Sequence, residues 1–280
     1  MTGLLERPGL SPAHPRQNKE ENKEEKMSTY LCSDVHGQYD LYIKMLDDIR
    51  FSQNDHLYIL GDLIDRGPKS IELLQDVMNR NNVTCLIGNH EMMMLDHLNG
   101  NRERGSYWTV SANGGTVTKR GFNKLPDREK SSIIDFLNSL CLQIELEING
   151  KRFLLSHSSF LEDSGTVRWC NLDEKTVFKT VWDSPWRFWE HIPLQKYRED
   201  GRIHVIGHVP TVFIDDRDWP EGRMPAMPSA YVDHANRIVN IDLGCALMAR
   251  MSRKTGLALC CMNLDSFAAG NEKQAFQYYR

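Results

Sequence analysis

The chain has 280 residues, of which 40% are hydrophobic and 26% charged, with a formal net charge of -4. This length can bury the core of one large α/β unit, so we expect one catalytic domain. No apolar run approaches the roughly 20 residues of a membrane-spanning helix, which argues against a membrane protein. The slightly acidic balance disfavours a dedicated nucleic-acid binder.

The seven cysteines are odd in number and scattered, with no CxxC pair, and the N-terminus lacks the layout of a secretory signal. We therefore expect reduced thiols and a cytoplasmic protein. Residues 1–26 are rich in Pro, Glu, Lys and Asn and nearly devoid of large apolar groups, which predicts a disordered tail. The catalytic domain is expected over residues 27–280.

After the tail, short apolar runs alternate with amphipathic runs of helical period, which predicts a β-α-β-α-β order. The apolar runs are Tyr30 to Ser33, His56 to Leu60 and Val83 to Ile87, and the amphipathic runs are Tyr39 to Ile49 and Ser70 to Asn79. Such alternation predicts an α/β fold with a parallel sheet and right-handed crossovers. The ligand site should lie beyond the carboxyl ends of the strands.

The middle of the chain, residues 92–150, has a helical pattern with a glycine-rich break at Asn113-Gly114-Gly115, and we expect it to form a cap beside the site. Four later apolar runs are strand candidates that would suffice for a second sheet packed on the first. They are Arg152 to Ser156, Ile203 to Ile206, Ile238 to Ile241 and Leu257 to Met262.

Polar turns follow five of the predicted strands. They are Asp34-Val35-His36-Gly37, Gly61-Asp62-Leu63-Ile64-Asp65-Arg66-Gly67, Gly88-Asn89-His90-Glu91, Ser156-His157-Ser158 and Gly207-His208-Val209-Pro210. One such motif is poor evidence, because a lone strand-end histidine is more often structural than a ligand. Five in order are more specific, because hard oxygens and imidazoles converging on one rim suit a pair of divalent transition ions.

The order DxHG, GDxxDRG, GNHE, His and GH resembles the calcineurin-like metallophosphoesterases over residues 34–208. The resemblance implies a four-layer α-β-β-α sandwich of two mixed sheets flanked by helices. The forms GDLIDRGP and GNHE are similar to those of the serine/threonine protein phosphatase branch, especially the short bacterial and phage enzymes. Trp108 followed by Asn113-Gly114-Gly115 and Thr118 is similar to a cap pattern of those short enzymes.

The resemblance implies two metal ions, Mn, Fe or Zn, and assigns their ligands. It makes Asp34 and His36 ligands of one ion, Asn89, His157 and His208 ligands of the other, and Asp62 the bridge. The ligand types suit this chemistry, but the residues alone do not divide them between the metals. Ser158 after His157 and Val209 after His208 depart from the usual family pattern, and they could alter the hydrogen bonds that orient those histidines.

The resemblance also implies roles around the phosphate. His90 is similar to the family's general acid, with Asp65 orienting its ring. Arg66 offers a planar fork of donors for phosphoryl oxygens. Arg187 is a candidate for a second phosphate-binding arginine, although its region does not align with the family.

We therefore expect hydrolysis of phosphomonoesters, with phosphoserine or phosphothreonine in proteins as the leading substrate class and small phosphoesters as the general one. A diadenosine tetraphosphatase-like nucleotide hydrolase is the alternative, since the same metal centre would serve. A second alternative is an inactive scaffold that binds a phosphorylated partner. An open, shallow site would favour a protein substrate, and a deeper pocket with an aromatic wall would favour a nucleotide.

Overall fold

Two β-sheets pack against each other, and helices cover their outer faces. The computed structural model describes residues 27–186, 191–223, 225, 227–247 and 257–280. The expected tail, residues 1–26, and the candidate Arg187 lie outside the described residues. Elements are numbered in chain order.

The first sheet has five strands in the order β11-β10-β1-β2-β3. They are β1 Thr29–Cys32, β2 His56–Ile59, β3 Val83–Cys85, β10 Leu259–Asn263 and β11 Phe276–Tyr279. Strands β1, β2 and β3 run parallel, as the alternating pattern predicted. Strand β10 is antiparallel to β1, and β11 is antiparallel to β10, so the sheet is mixed.

The second sheet has six strands in the order β6-β4-β5-β7-β9-β8. They are β4 Cys141–Ile148, β5 Lys151–Ser156, β6 Val167–Arg168, β7 Ile203–Ile206, β8 Tyr231–Asp233 and β9 Ile238–Asn240. Strands β5, β7 and β9 are parallel, and the outer strands pair antiparallel. Both sheets therefore present the carboxyl ends of parallel strands, where the polar turns begin.

Ten α-helices lie within the described residues. They are α1 Tyr39–Asp48, α2 Ser70–Asn79, α3 Asn89–Leu98, α4 Arg104–Trp108, α5 Thr116–Asn123, α6 Asp127–Ser139, α7 Glu174–Trp182, α8 Leu194–Asp200, α9 Leu264–Ala268 and α10 Glu272–Ala275. None of these helices could cross a membrane, since the longest, α6, has only 13 residues.

Three buried apolar clusters define the layers. Tyr42 of α1 and Leu73 of α2 join Ile59 in a cluster on the outer face of the first sheet. A second cluster fills the space between the sheets, and a third joins Tyr197 of α8 to Ile206 on the outer face of the second sheet. Alternate residues of each strand face opposite clusters because strand side chains alternate. The four-layer sandwich of two mixed sheets flanked by helices is thus confirmed.

Two expectations about individual elements need correction. The run Leu257 to Met262 forms β10 in the first sheet instead of the second, where Met262 is paired with Leu31 of β1. The helical region expected over residues 92–150 ends with α6, and residues 141–148 form strand β4. The alternation of apolar and polar residues in CLQIELEI is typical of a strand, and it places Ile144 in the core between the sheets.

Candidate active site

The five polar turns begin where β1, β2, β3, β5 and β7 end, and their side chains meet at one edge of the sandwich. Six residues of these turns have left-handed backbone conformations. They are Asp34, His36, Asp62, Asp65, Arg66 and His208. Each such conformation costs a non-glycine residue on the order of 1–3 kcal/mol, and strain of this kind concentrates at functional sites. All six are predicted site residues.

Asp62 lies at the centre of the site, between two groups of potential metal ligands. Its Oδ2 is 3.4 Å from His36 Nε2 and 3.8 Å from His90 Nε2, and its Oδ1 is 3.6 Å from His157 Nε2. One group is His36, Asp62 and His90, and the other is Asp62, His157 and His208, with ligand atoms within 4.8 Å of one another. A carboxylate shared by two groups is the arrangement a bridging ligand requires.

Hydrogen bonds to the backbone fix the orientation of two of these histidines. His36 Nδ1 is 2.8 Å from the carbonyl oxygen of Ile64, and His157 Nδ1 is 2.8 Å from that of Leu60. Donation from Nδ1 leaves the lone pair on Nε2, which faces Asp62. Burial lowers the pKa of both imidazoles, which favours their neutral forms. A neutral, oriented imidazole is the form in which histidine binds a metal.

Asn89 lies between His157 and His208. Its Oδ1 is 2.9 Å from His157 Nε2 and 3.1 Å from His208 Nδ1. Burial, with the nearby His157 ring adding to it, lowers the pKa of His208. Gly88 precedes Asn89 at the start of α3, and a Cβ there would lie 2.2 Å from Asp62 Oδ1. Only glycine at this position lets α3 begin so close to Asp62.

The carboxylates of the site are buried together. Asp34 Oδ2 accepts hydrogen bonds from Ser33 Oγ and, at 3.0 Å, from the backbone N–H of His208. Asp34 belongs to neither ligand group. Burial and the adjacent Asp34 raise the pKa of Asp62 well above its usual range, and they do the same for Asp242, which follows β9. Divalent cations would relieve this accumulation of buried negative charge, so the donor set fits them.

His90 and Asp65 form a buried pair beside Asp62. His90 Nδ1 is 2.7 Å from Asp65 Oδ2, and both side chains are essentially inaccessible to solvent. Burial raises the pKa of Asp65 to about 7, against the hydrogen bonds of Thr118 and Trp108, which lower it. Burial and the neighbouring Arg66 lower the pKa of His90. The pairing of His90 with Asp65 is the one that the resemblance implied for a proton donor.

Arg66 extends across the site between two imidazoles. Its Nη1 is 2.9 Å from His36 Nε2, and its Nη2 is 3.2 Å from His90 Nε2. A cation bound to His36 Nε2 would use the lone pair that Arg66 contacts, and the guanidinium could then turn to a phosphoryl oxygen. The structure thus brings Arg66 together with the predicted ligands and with His90. Of the predicted site residues, only Arg187 lies outside the described residues.

Glu91 is a site residue to which the sequence analysis gave no role. Its carboxylate accepts hydrogen bonds from the backbone N–H groups of Gly88, Asp62 and Leu63, each at 2.9 Å, and of Ile64 at 3.3 Å. Burial raises its pKa to about 7, and these N–H groups oppose that shift. A glutamate three residues after a helix cap is a capping-box signal that could have identified it.

The family model described as calcineurin-like phosphoesterase matches residues 27–243. The chain therefore belongs to the calcineurin-like phosphoesterase family. Divalent metal ions serve this family, and the two ligand groups around Asp62 could hold them.

Two curated relatives carry different activities in their names. The symmetrical bis(5'-nucleosyl)-tetraphosphatase of Klebsiella pneumoniae (strain 342) is 30% identical over 159 residues, 55% of this chain and 51% of that protein. Serine/threonine-protein phosphatase 2 of Salmonella typhimurium is 29% identical over 139 residues, 48% of this chain and 60% of that protein. The chain thus spans about half of the former relative's length.

A similar fold is found in a crystal structure described as that of a candidate diadenosine tetraphosphatase. The TM-score is 0.51 at 15% sequence identity, over 84% of this chain and 87% of that one. At this identity the likeness concerns the fold alone.

Proposed function

We propose that this chain is a metal-dependent phosphoric monoester hydrolase whose substrates are phosphoserine and phosphothreonine residues in proteins. The observation that carries the hydrolytic function is the position of Asp62. It is shared by two groups of metal ligands, and the His90–Asp65 pair and Arg66 lie beside it. One edge of the sandwich therefore offers ligands, a proton donor and an anion-binding group together.

Six residues would hold the metals, Mn, Fe or Zn. They are Asp34, His36, Asp62, Asn89, His157 and His208. When bound, two divalent ions supply positive charge for the phosphoryl oxygens and lower the pKa of water so that it can attack phosphorus. The neutral imidazoles and the crowded carboxylates support this assignment.

The remaining steps belong to side chains of this chain. Arg66 binds phosphoryl oxygens through its planar fork of donors, which a lysine would not match. Once Arg66 has turned from His90 Nε2 to a phosphoryl oxygen, His90 takes up a proton on Nε2 and gives it to the departing alkoxide. Asp65 accepts the Nδ1 proton of His90 in a hydrogen bond and stabilises the imidazolium. The proton that leaves His90 is replaced from solvent after the product departs.

The surface beside Arg66 supports a protein substrate. The segment from α4 to α5, here called the cap, exposes three large apolar side chains, Tyr107, Val110 and Val117. They flank Gly114, whose carbonyl oxygen accepts the backbone N–H of Arg66 at 3.4 Å. Exposed apolar groups close to an anion-binding arginine suit an extended peptide with a phosphorylated side chain. The relative named as a serine/threonine-protein phosphatase supports the same substrate class.

A second observation favours the nucleotide alternative. The segment after His208 contributes the exposed Phe213 to a cavity of about 380 Å³ that is also lined by His191. Aromatic side chains can stack on a nucleobase, and relatives are named as tetraphosphatases of dinucleotides.

The intact set of ligand types argues against the scaffold alternative. All seven cysteines are free, which supports the proposed cytoplasmic location.

Competing substrates separate the two enzyme functions. Manganese-loaded protein is incubated with a phosphoserine peptide or with diadenosine tetraphosphate, and phosphate or nucleotide release is measured as kcat/KM. Our proposal expects the peptide to react faster, with Val110→Ala raising its KM and Phe213→Ala leaving it unchanged. Faster cleavage of the dinucleotide, with a KM raised by Phe213→Ala, would replace the protein-phosphatase assignment with the nucleotide one.

A further inference from the structure

Trp108, at the end of α4, is completely buried against the outer side of the His90–Asp65 pair. Its indole Nε1 donates to both carboxylate oxygens of Asp65, at 3.0 Å to Oδ1 and 2.9 Å to Oδ2. Asp65 Oδ2 also accepts from His90 Nδ1. One carboxylate therefore connects an indole on the cap to the imidazole in the site, and all three side chains are buried.

The cap holds Trp108 in one orientation. A Cβ on Gly115 would lie 2.5 Å from Trp108 Cδ1 and 2.6 Å from its Nε1, so the glycine backbone packs directly on the indole. The backbone N–H of Gly115 donates to the carbonyl oxygen of Trp108 at 3.1 Å. The ring of His97 lies 5.2 Å away on α3. An indole fixed in this way cannot follow Asp65 if that carboxylate rotates.

The same stretch of the cap contacts the backbone of Asp65 and of its neighbour. Thr118 Oγ1 accepts the backbone N–H of Asp65 at 3.0 Å, a donor shared with Ser70 Oγ. Gly114 accepts the backbone N–H of Arg66. Because Asp65 and Arg66 both have left-handed backbones, these contacts also stabilise a turn that is unfavourable on its own.

We propose that Trp108 is a positioning residue for the proton donor: its indole N–H fixes the Asp65 carboxylate, which in turn holds His90 Nδ1–H and directs Nε2 into the site. Without the indole donor, Asp65 keeps fewer hydrogen bonds and can rotate away from His90. The inference rests on the proposed role of His90 as proton donor. Its consequence is that substrates with poor leaving groups depend on the cap more than substrates with good ones.

Trp108→Phe tests this inference, with Trp219→Phe as the matched control. Trp219 is also buried, but its Nε1 has no hydrogen-bond partner among the described residues. We expect kcat for phenyl phosphate to fall about 10- to 100-fold in Trp108→Phe. The loss should be several times smaller for p-nitrophenyl phosphate, whose leaving group needs a proton less. Equal losses for both esters, or no loss, would overturn the inference.

A second readout does not require turnover. The proton on His90 Nδ1 is observed by nitrogen-edited NMR of histidine-labelled, metal-stripped protein. Trp108→Phe should shift or broaden this resonance, and Trp219→Phe should leave it in place. An unchanged resonance in Trp108→Phe would contradict the inference even if the wild type proved inactive. Inactivity of the wild type, with the resonance responding as expected, would overturn the proposed function and leave the positioning role standing.

Discussion

The carboxylate of Glu91 accepts the backbone N–H of Asp62 at 2.9 Å, so the residue after His90 holds the backbone of the residue shared by both ligand groups. Glu91 makes further hydrogen bonds to the turn that follows β2. Four backbone donors converge on one buried carboxylate that has no cationic partner in the described structure. The position of Asp62 therefore depends on Glu91, whose own side chain belongs to neither ligand group.

Replacing Glu91 by glutamine should loosen this turn, because an amide has one acceptor oxygen and its NH2 group would face backbone donors. We expect manganese affinity to fall about 10- to 100-fold and the free energy of unfolding of the metal-stripped protein to fall by roughly 1–3 kcal/mol. Calorimetric titration with manganese and urea unfolding measure the two effects. Glu72→Gln, at an exposed position in the first turn of α2, is the control. Unchanged manganese affinity in Glu91→Gln would refute this role.

Arg66→Lys should keep the positive charge but lose the pair of terminal guanidinium nitrogens that can donate to two acceptors at once. The two terminal nitrogens of Arg66 lie within 3.2 Å of His36 and His90, and a lysine has a single nitrogen. We expect kcat/KM for p-nitrophenyl phosphate to fall on the order of 100-fold, with manganese affinity little changed. Arg120→Lys, on the exposed face of the cap helix α5, should behave as wild type. Retention of full activity in Arg66→Lys would show that the reaction does not depend on bidentate donation by the Arg66 guanidinium.

Stability should fall as pH drops from 7 to 5, in part because of His204 on β7. Burial lowers the pKa of His204, against the hydrogen bond with Asp200 at 3.0 Å. Below about pH 6.5 the His204 imidazole becomes protonated in the unfolded chain but stays neutral in the folded chain. Protonation therefore favours the unfolded state, and stability falls as the pH falls. Partial burial would raise the pKa of Asp200, but hydrogen bonds with Arg202 and His204 outweigh it and lower that pKa. This shift also makes stability fall as the pH falls, but only below about pH 4.

His204→Gln removes this contribution and should flatten the dependence of the urea midpoint on pH between 7 and 5. The comparison is made between the variant and the wild type because the site histidines also titrate in both proteins. His191→Gln, at an exposed histidine, should leave the wild-type curve unchanged. Parallel curves for His204→Gln and wild type would show that His204 does not contribute to the loss.

Local patterns predicted much of this molecule. The apolar runs before Asp34 and Asp62 predicted parallel strands followed by polar turns. Because ligand sites lie beyond the carboxyl ends of parallel strands, these turns were predicted to form one site. The pairing of β10 with β1 could not be predicted in this way, because an apolar run indicates a strand without indicating its neighbour. The donation from Trp108 to Asp65 joins residues 43 apart in the chain, and only the folded cap brings them together. The orientation of Arg66 likewise depends on rings from two different turns.

The proposed function requires that Asp62 and His90 belong to one metal-dependent hydrolytic site. The most direct test measures p-nitrophenol release from p-nitrophenyl phosphate by metal-stripped protein with and without added manganese, for wild type, Asp62→Asn, His90→Asn and the surface control His234→Asn. We expect manganese-dependent turnover in wild type and control, its loss in Asp62→Asn, and a fall of roughly 100-fold or more in His90→Asn. Turnover by Asp62→Asn at the wild-type rate, or no turnover by wild type with any divalent metal, would contradict the claim.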